Sequence, residues 1–198
     1  MKRVIIFFFS MFFFILLLPL SKAVTTDTIG GTTATYDYFG AQQAHSITAS
    51  ASGILTTLGM NIDSASGNIR LAIYSNGAGK PANLLGESSS TIATAGWNDL
   101  TIPGGVSIVA STTYWIAYQQ DTGACKIYRQ NGETGIPRRY YSHSYGAFDS
   151  TWQADDGDTS NTLNMRMTYT PAPPTIIYTN LLFNWLKNKN KLWFIGVK

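Results

Sequence analysis

The stretch of this 198-residue chain with the most chemistry to offer runs from 128 to 152, YRQNGETGIPRRYYSHSYGAFDSTW. It sets Tyr140, Tyr141, Tyr145, Phe148 and Trp152 beside Arg138, Arg139 and His143. Aromatic faces stack on the apolar faces of sugar rings, while guanidinium and amide groups take the hydroxyls, which is the combination a glycan site needs. Tyr140, Tyr141, Tyr145, Trp152, Arg138 and Arg139 are therefore the candidate ligand-binding residues. The competing reading is that the alternating tyrosines merely stabilise the edge of a sheet. In a regular strand Tyr140 and Tyr141 face opposite sides, so only one of them can join a given patch.

A second candidate is DDGDTSN, residues 155 to 161. Asp155, Asp156, Asp158 and Asn161 supply hard oxygen ligands on a turn, as calcium prefers. Their spacing is not that of an EF-hand loop, and a solvated acidic turn is the alternative. No cofactor is expected beyond such a structural calcium ion. Catalysis finds little support. His45 and His143 are the two histidines, and there is no Gly-x-Ser-x-Gly elbow, His-Glu-x-x-His pair or phosphate loop. Asp121, Glu133 and Asp149 would make a glycosidase pair only if the fold brought two of them together. The residues point to a binding module, with a small secreted glycosidase as the weaker alternative.

Period-two alternation dominates the segment that must position these residues. Ile54, Leu58, Met60 and Ile62 fall on one face with Thr56 between them, as do Ile69, Leu71 and Ile73, and again Leu163, Met165, Met167 and Tyr169. In YWIAYQ both faces are apolar, Tyr114, Ile116 and Tyr118 on one and Trp115 and Ala117 on the other, which predicts a central strand covered on both sides. Turn signals at Asn76-Gly77, Asp121-Thr122-Gly123, Asn131-Gly132 and Pro103-Gly104-Gly105 separate the runs. No stretch shows a capped 3.6-residue period. Eight to ten short strands at this spacing predict an all-β fold, an antiparallel β-sandwich of jelly-roll type.

The ends have a different character. Lys2 and Arg3 precede an apolar run from Val4 to Leu18, and Ser21-Lys22-Ala23 offers small residues where a signal peptidase reads. Residues 1–23 are expected to be a cleaved signal helix, leaving Val24 first. The sandwich is expected over 24–170. PAPPT, residues 171–175, cannot continue a ladder and reads as a linker. The tail, 176–198, is apolar, then basic, then apolar again; its first piece is too short to span a bilayer and reads as an interfacial segment in peripheral membrane contact or as the stump of a lost anchor.

The formal charge of +3 hides this asymmetry. Between Val24 and Thr170 seven basic residues face all eleven acidic ones, a net charge of −4. A mildly acidic domain argues against nucleic acid, whose recognition rests on basic surface. Cys125 is the only cysteine, so no internal disulfide forms, and it reads as a small buried residue. Export without bridges and without an Asn-x-Ser/Thr sequon fits an extracellular or cell-surface protein of a bacterium or archaeon.

Three motifs in order carry a family resemblance: IRLAIYSNGAGKPANLLGES, then GWNDLTIPGGVSIVASTTYWIAYQ, then the Tyr-rich strand. Over about residues 28 to 170 the chain resembles the choice-of-anchor extracellular β-sandwich domains of bacteria and archaea. The resemblance implies export, one sandwich domain and a C-terminal attachment that varies among members. Similar domains accompany carbohydrate-active modules, which implies glycan contact. A clean membrane span or sorting signal is missing after PAPPT. Two partners stay open, an extracellular glycan or a cell-surface protein bound in a structural or adhesive role. The opening motif reads as scaffold, with Ile69, Leu71 and Ile73 in the core, Gly77 and Gly79 reversing the chain, and Leu84 and Leu85 returning to the apolar layer. Trp97 and Trp115 read as core filling.

Overall fold

A computed structural model describes residues 23–36, 40–131, 137–153, 156–158 and 161–172. The expected signal helix, most of the linker and the tail lie outside them, as do Glu133 and Asp155. The described residues are strand and connection, with no helix of any kind. In chain order the strands are β1 (Thr25–Ile29), β2 (Ala34–Tyr36), β3 (Ala41–Thr48), β4 (Gly53–Ser64), β5 (Asn68–Asn76), β6 (Pro81–Glu87), β7 (Thr91–Ile92), β8 (Gly96–Ile108), β9 (Thr113–Gln120), β10 (Lys126–Asn131), β11 (Arg138–Ser142), β12 (Asp156–Asp158), β13 (Asn161–Leu163) and β14 (Met165–Pro171). These outnumber the eight to ten that turn spacing predicts because β2, β7, β12 and β13 are fragments of two or three residues.

Two antiparallel sheets form the predicted sandwich. One runs β1-β14-β4-β10-β13, with β8 also on β4 and β2 on β10; the other runs β12-β11-β3-β9-β5-β6, with β7 on β5. Neighbours distant in sequence, such as β3 between β9 and β11, show the chain crossing repeatedly from sheet to sheet, as a jelly-roll-like fold requires. Ile47, Ile69, Leu71, Ile73, Tyr114, Ile116 and Tyr118 from the second sheet meet Leu58, Met60, Ile62, Ile127, Met165, Met167 and Tyr169 from the first. Each such aliphatic side chain contributes about 1.5–3 kcal/mol by leaving water.

The strand predicted to be covered on both sides is β9, central in its sheet and buried from Tyr114 to Gln120. Its inner residues join the main core. Its outer residues Trp115 and Ala117 join a second apolar cluster with Ala44, Ala72, Tyr74, Phe148 and Trp152. The cover is the segment 143–153, which lies over the outer face of the sheet. Backbone bonds hold it to β6, from Leu84 N to Ser150 O at 2.9 Å and from Trp152 N to Ala82 O at 2.8 Å.

Four expectations change. Ile54 is 48% exposed while Leu55 is buried, because β4 carries a bulge: Thr57 pairs with Thr168 and Leu55 with Tyr169, which skips Thr56 and reverses the alternation upstream. Leu85 is exposed, and only Leu84 packs on the outer cluster. Pro103-Gly104-Gly105 is no hairpin but an irregularity within the continuous strand β8, taken up by positive φ at Gly104 and Gly105. In the β5–β6 hairpin the residues at positive φ are Ala78 (54°) and Gly79 (81°), the pair of left-handed positions a type I′ turn demands. Cys125 is buried, as expected.

Candidate functional site

Strand alternation splits the predicted aromatic platform. Within β11, Tyr140 lies opposite Gln43 and Tyr141 opposite Gln42. Gln43 donates to the hydroxyl of the core residue Tyr118 at 3.3 Å, so Tyr140, and with it Arg138 two residues back, points toward the space between the sheets. The Arg138 guanidinium sits 4.9 Å from the centre of the Tyr140 ring and Arg138 is 8% exposed. Tyr141 and Arg139 point the other way. Tyr141 packs at the border of the outer cluster, edge-to-face on Trp152 at 4.9 Å and on His143 at 5.8 Å.

Trp152, 7% exposed, is a filler of that cluster, edge-to-face on Tyr74 at 5.3 Å. Trp115 is buried beneath it and donates its indole N–H to Asn76 at 2.9 Å. Trp97, expected in the core, instead lies half-buried on the outer face of the first sheet, under the Arg166 guanidinium at 4.1 Å. Its strand position explains this, since Trp97 pairs with Asn61 on the face opposite to Leu58 and Ile62.

A polar network fastens the cover to the sheet. Gln119 donates to Gln42 at 3.0 Å, Gln42 to the Tyr74 hydroxyl at 2.9 Å, and that hydroxyl to the Asp149 carbonyl at 2.7 Å. From the cover, Gly146 N–H donates to Gln119 Oε1 at 3.0 Å and Phe148 N–H to Glu87 at 3.1 Å. The Asp149 carboxylate accepts from the Tyr141 hydroxyl at 2.7 Å and lies 3.6 Å from His143 Nε2. Burial, followed by Asp149 as partner, pushes the Tyr141 phenol well above its ordinary range. Burial does the same to Tyr74, against the lowering effect of Gln42.

Where the cover leaves the sheet, a cleft of about 490 Å³ opens, lined by Gly40, Asp121, Ser142, His143, Ser144 and Tyr145. It sits where β3 begins and where β9 and β11 end, so three strand termini of a rigid sheet hold its floor. The half-buried Tyr145 ring is fixed by a 2.5 Å bond between its hydroxyl and Ser90. Asp121 accepts from Asn68 twice, at Oδ1 from the backbone N–H (2.7 Å) and at Oδ2 from the side-chain amide (2.6 Å). The backbone bond from His143 N to Gly40 O at 3.1 Å closes one wall.

Of the six predicted ligand-binding residues, then, Tyr145 alone lines the cleft. The others are distributed between the inter-sheet side (Tyr140, Arg138) and the outer face and its cover (Tyr141, Arg139, Trp152). Gly40, Ser142 and Ser144 were not singled out by sequence. The one available signal was the alternation of small hydroxyl residues in YYSHSY, followed by Gly146. Around the acidic turn, Asp156 to Asp158 form β12, paired through the backbone with Tyr140 to Arg138, whereas Asn161 opens β13 in the other sheet opposite Asn131. The described residues of the expected turn are thus divided between two sheets. Among the described residues no group of three or more metal-ligating His, Cys, Asp or Glu side chains comes together.

No family model matches the chain, and no curated protein matches it. Among solved structures it is similar to chitosan-binding module 1 of a chitosanase/glucanase from Paenibacillus sp. IK-5, with 14% identity over 55% of this chain and 91% of that one and a TM-score of 0.34. It is also similar to a structure of infectious bursal disease virus, Gx strain, with 13% identity over 87% of this chain and 49% of that one and a TM-score of 0.28. Likeness at this level carries no functional argument, and the cleft must speak through its own geometry.

Proposed function

We propose that the protein is an exported, non-catalytic binding module that contacts glycans in the cleft beside Tyr145. The observation that carries this reading is the cleft itself. Its 490 Å³ falls within the roughly 300–1,000 Å³ of small-molecule sites. It combines one aromatic ring held in place with two serine hydroxyls, an imidazole and a carboxylate, the groups that accept and donate to a polyol. Strand ends supply the rigidity that keeps the cost of ordering low on binding. In this reading Tyr141 and Trp152 serve the site indirectly, by seating the cover from which His143, Ser144 and Tyr145 project.

A glycan array followed by calorimetry on the hits tests the proposal. Tyr145→Ala should weaken binding by about 1–3 kcal/mol, the usual value of a central aromatic contact, with the melting temperature nearly unchanged because the ring is half-exposed. An array without hits, or unaltered affinity in the variant, refutes it. Export rests on the basic-apolar-small order of residues 1–23. N-terminal sequencing of secreted material should begin at Val24, and a mature protein still starting at Met1 would contradict it.

A further inference from the structure

Among the described residues the charge around the cleft is one-sided. Asp121 is the one carboxylate of the described lining, and no described lysine or arginine lines it. Its hydrogen-bond partners among the described residues, the Asn68 backbone and amide N–H groups, are neutral, so they leave its charge uncancelled. The field extends outward: after burial, Asp121 contributes to raising both the Tyr145 phenol and the Cys125 thiol. The other charged groups near Tyr145 and His143 are Asp149, 3.6 Å from the imidazole, and the Arg70–Glu87 pair at 2.8 Å. Among the described residues Arg70 is the one guanidinium beside three carboxylates; it opposes Asp121 at Tyr145 more weakly and is already engaged by Glu87.

Resting on the glycan reading of this cleft, we infer that its preferred ligand is a cationic saccharide, one carrying a free primary amine on the sugar ring. An ammonium offers three donors and no acceptor, matching a carboxylate whose present partners are uncharged, and a charged partner makes the stronger hydrogen bond. The hydroxyls of Ser142, Ser144 and Tyr145 favour a polyol around that amine over the apolar stem of a lysine side chain. Acetylating the amine removes the charge, and a uronic acid reverses it, so both classes bind less well.

The experiment is calorimetry on the full chain with a glucosamine oligomer, its fully N-acetylated counterpart, a uronic-acid oligomer and an oligolysine of equal length. At low ionic strength the amine oligomer should bind about tenfold more tightly than the acetylated one, the gain expected of one charge-assisted contact in a half-exposed site. That margin should shrink severalfold at about 0.5 M salt, where screening acts within a few ångström. Asp121→Asn should lose at least fivefold more affinity for the amine than for the acetylated oligomer, a differential on the order of one contact. Equal binding of amine and acetylated oligomers, an unaltered margin in Asp121→Asn, or oligolysine binding as tightly as the amine sugar each overturns the inference while leaving the glycan reading standing. If no saccharide binds, the glycan reading falls and the inference falls with it. Should Asp121→Asn fail to fold, salt dependence in the native protein decides: a margin indifferent to salt refutes the role of charge.

Discussion

Replacing Trp152 by alanine separates a core role from a binding role. A tryptophan side chain buries about 150–250 Å², and at about 25 cal/mol per Å² that is roughly 4–6 kcal/mol. Compactness of the unfolded chain lowers such figures by about 10–40%, which leaves about 2–5 kcal/mol, overlapping the roughly 3–5 kcal/mol seen when large aromatic residues are truncated in cores. The environment supports the full value. Trp152 is 7% exposed and meets Tyr74 and Tyr141 edge-to-face at 5.3 and 4.9 Å. Its backbone bond to Ala82 survives the change, so the loss reports on the indole. Urea unfolding of the Trp152→Ala variant, followed by circular dichroism and compared with the native protein, gives the number. A loss below about 0.5 kcal/mol, the level of ordinary surface substitutions, would refute the assignment of 143–153 as a structural cover.

Alkaline titration provides a further check. The folded state holds Tyr74 and Tyr141 protonated above their ordinary range, chiefly through burial. The stability they contribute is complete below the unfolded pKa of about 10 and declines as pH rises beyond it, because only the unfolded chain then releases its protons. Unfolding free energy should therefore fall more steeply above pH ~10 in the native protein than in Tyr74→Phe. Identical slopes would show that Tyr74 is not held as described.

Much of the sandwich was legible because alternation reports directly on which face of a strand is buried. Ile69, Leu71 and Ile73 and the two-sided apolar pattern of β9 placed both the inter-sheet core and the existence of an outer cover. Ile54 was misplaced because one skipped residue, Thr56, inverts the parity of everything before it, and a bulge leaves no mark in a simple count of apolar positions. Trp97 and Trp115 look alike in sequence, yet one packs under an arginine on an open face and the other lies beneath the cover. What distinguishes them is the path of the segment 143–153, which begins 28 residues beyond Trp115. The same reason hid the cleft, whose walls come from Gly40, Asp121 and the 142–145 stretch, which only strand pairing brings together.

The last described strand has a mechanical consequence. This strand, β14, is paired antiparallel on one side with β1 and on the other with β4. A pull on the segment beyond Pro171, directed along the strand, loads both rows of backbone hydrogen bonds in parallel, so that they must yield together instead of opening one at a time as a zipper would. The cleft lies in the opposite sheet, at the ends of β3, β9 and β11, so a force applied between the cleft and the end of β14 must cross the whole core, from Tyr118 and Ile116 to Met165 and Tyr169. A sandwich wired in this way is suited to bearing a sustained load from one sheet to the other.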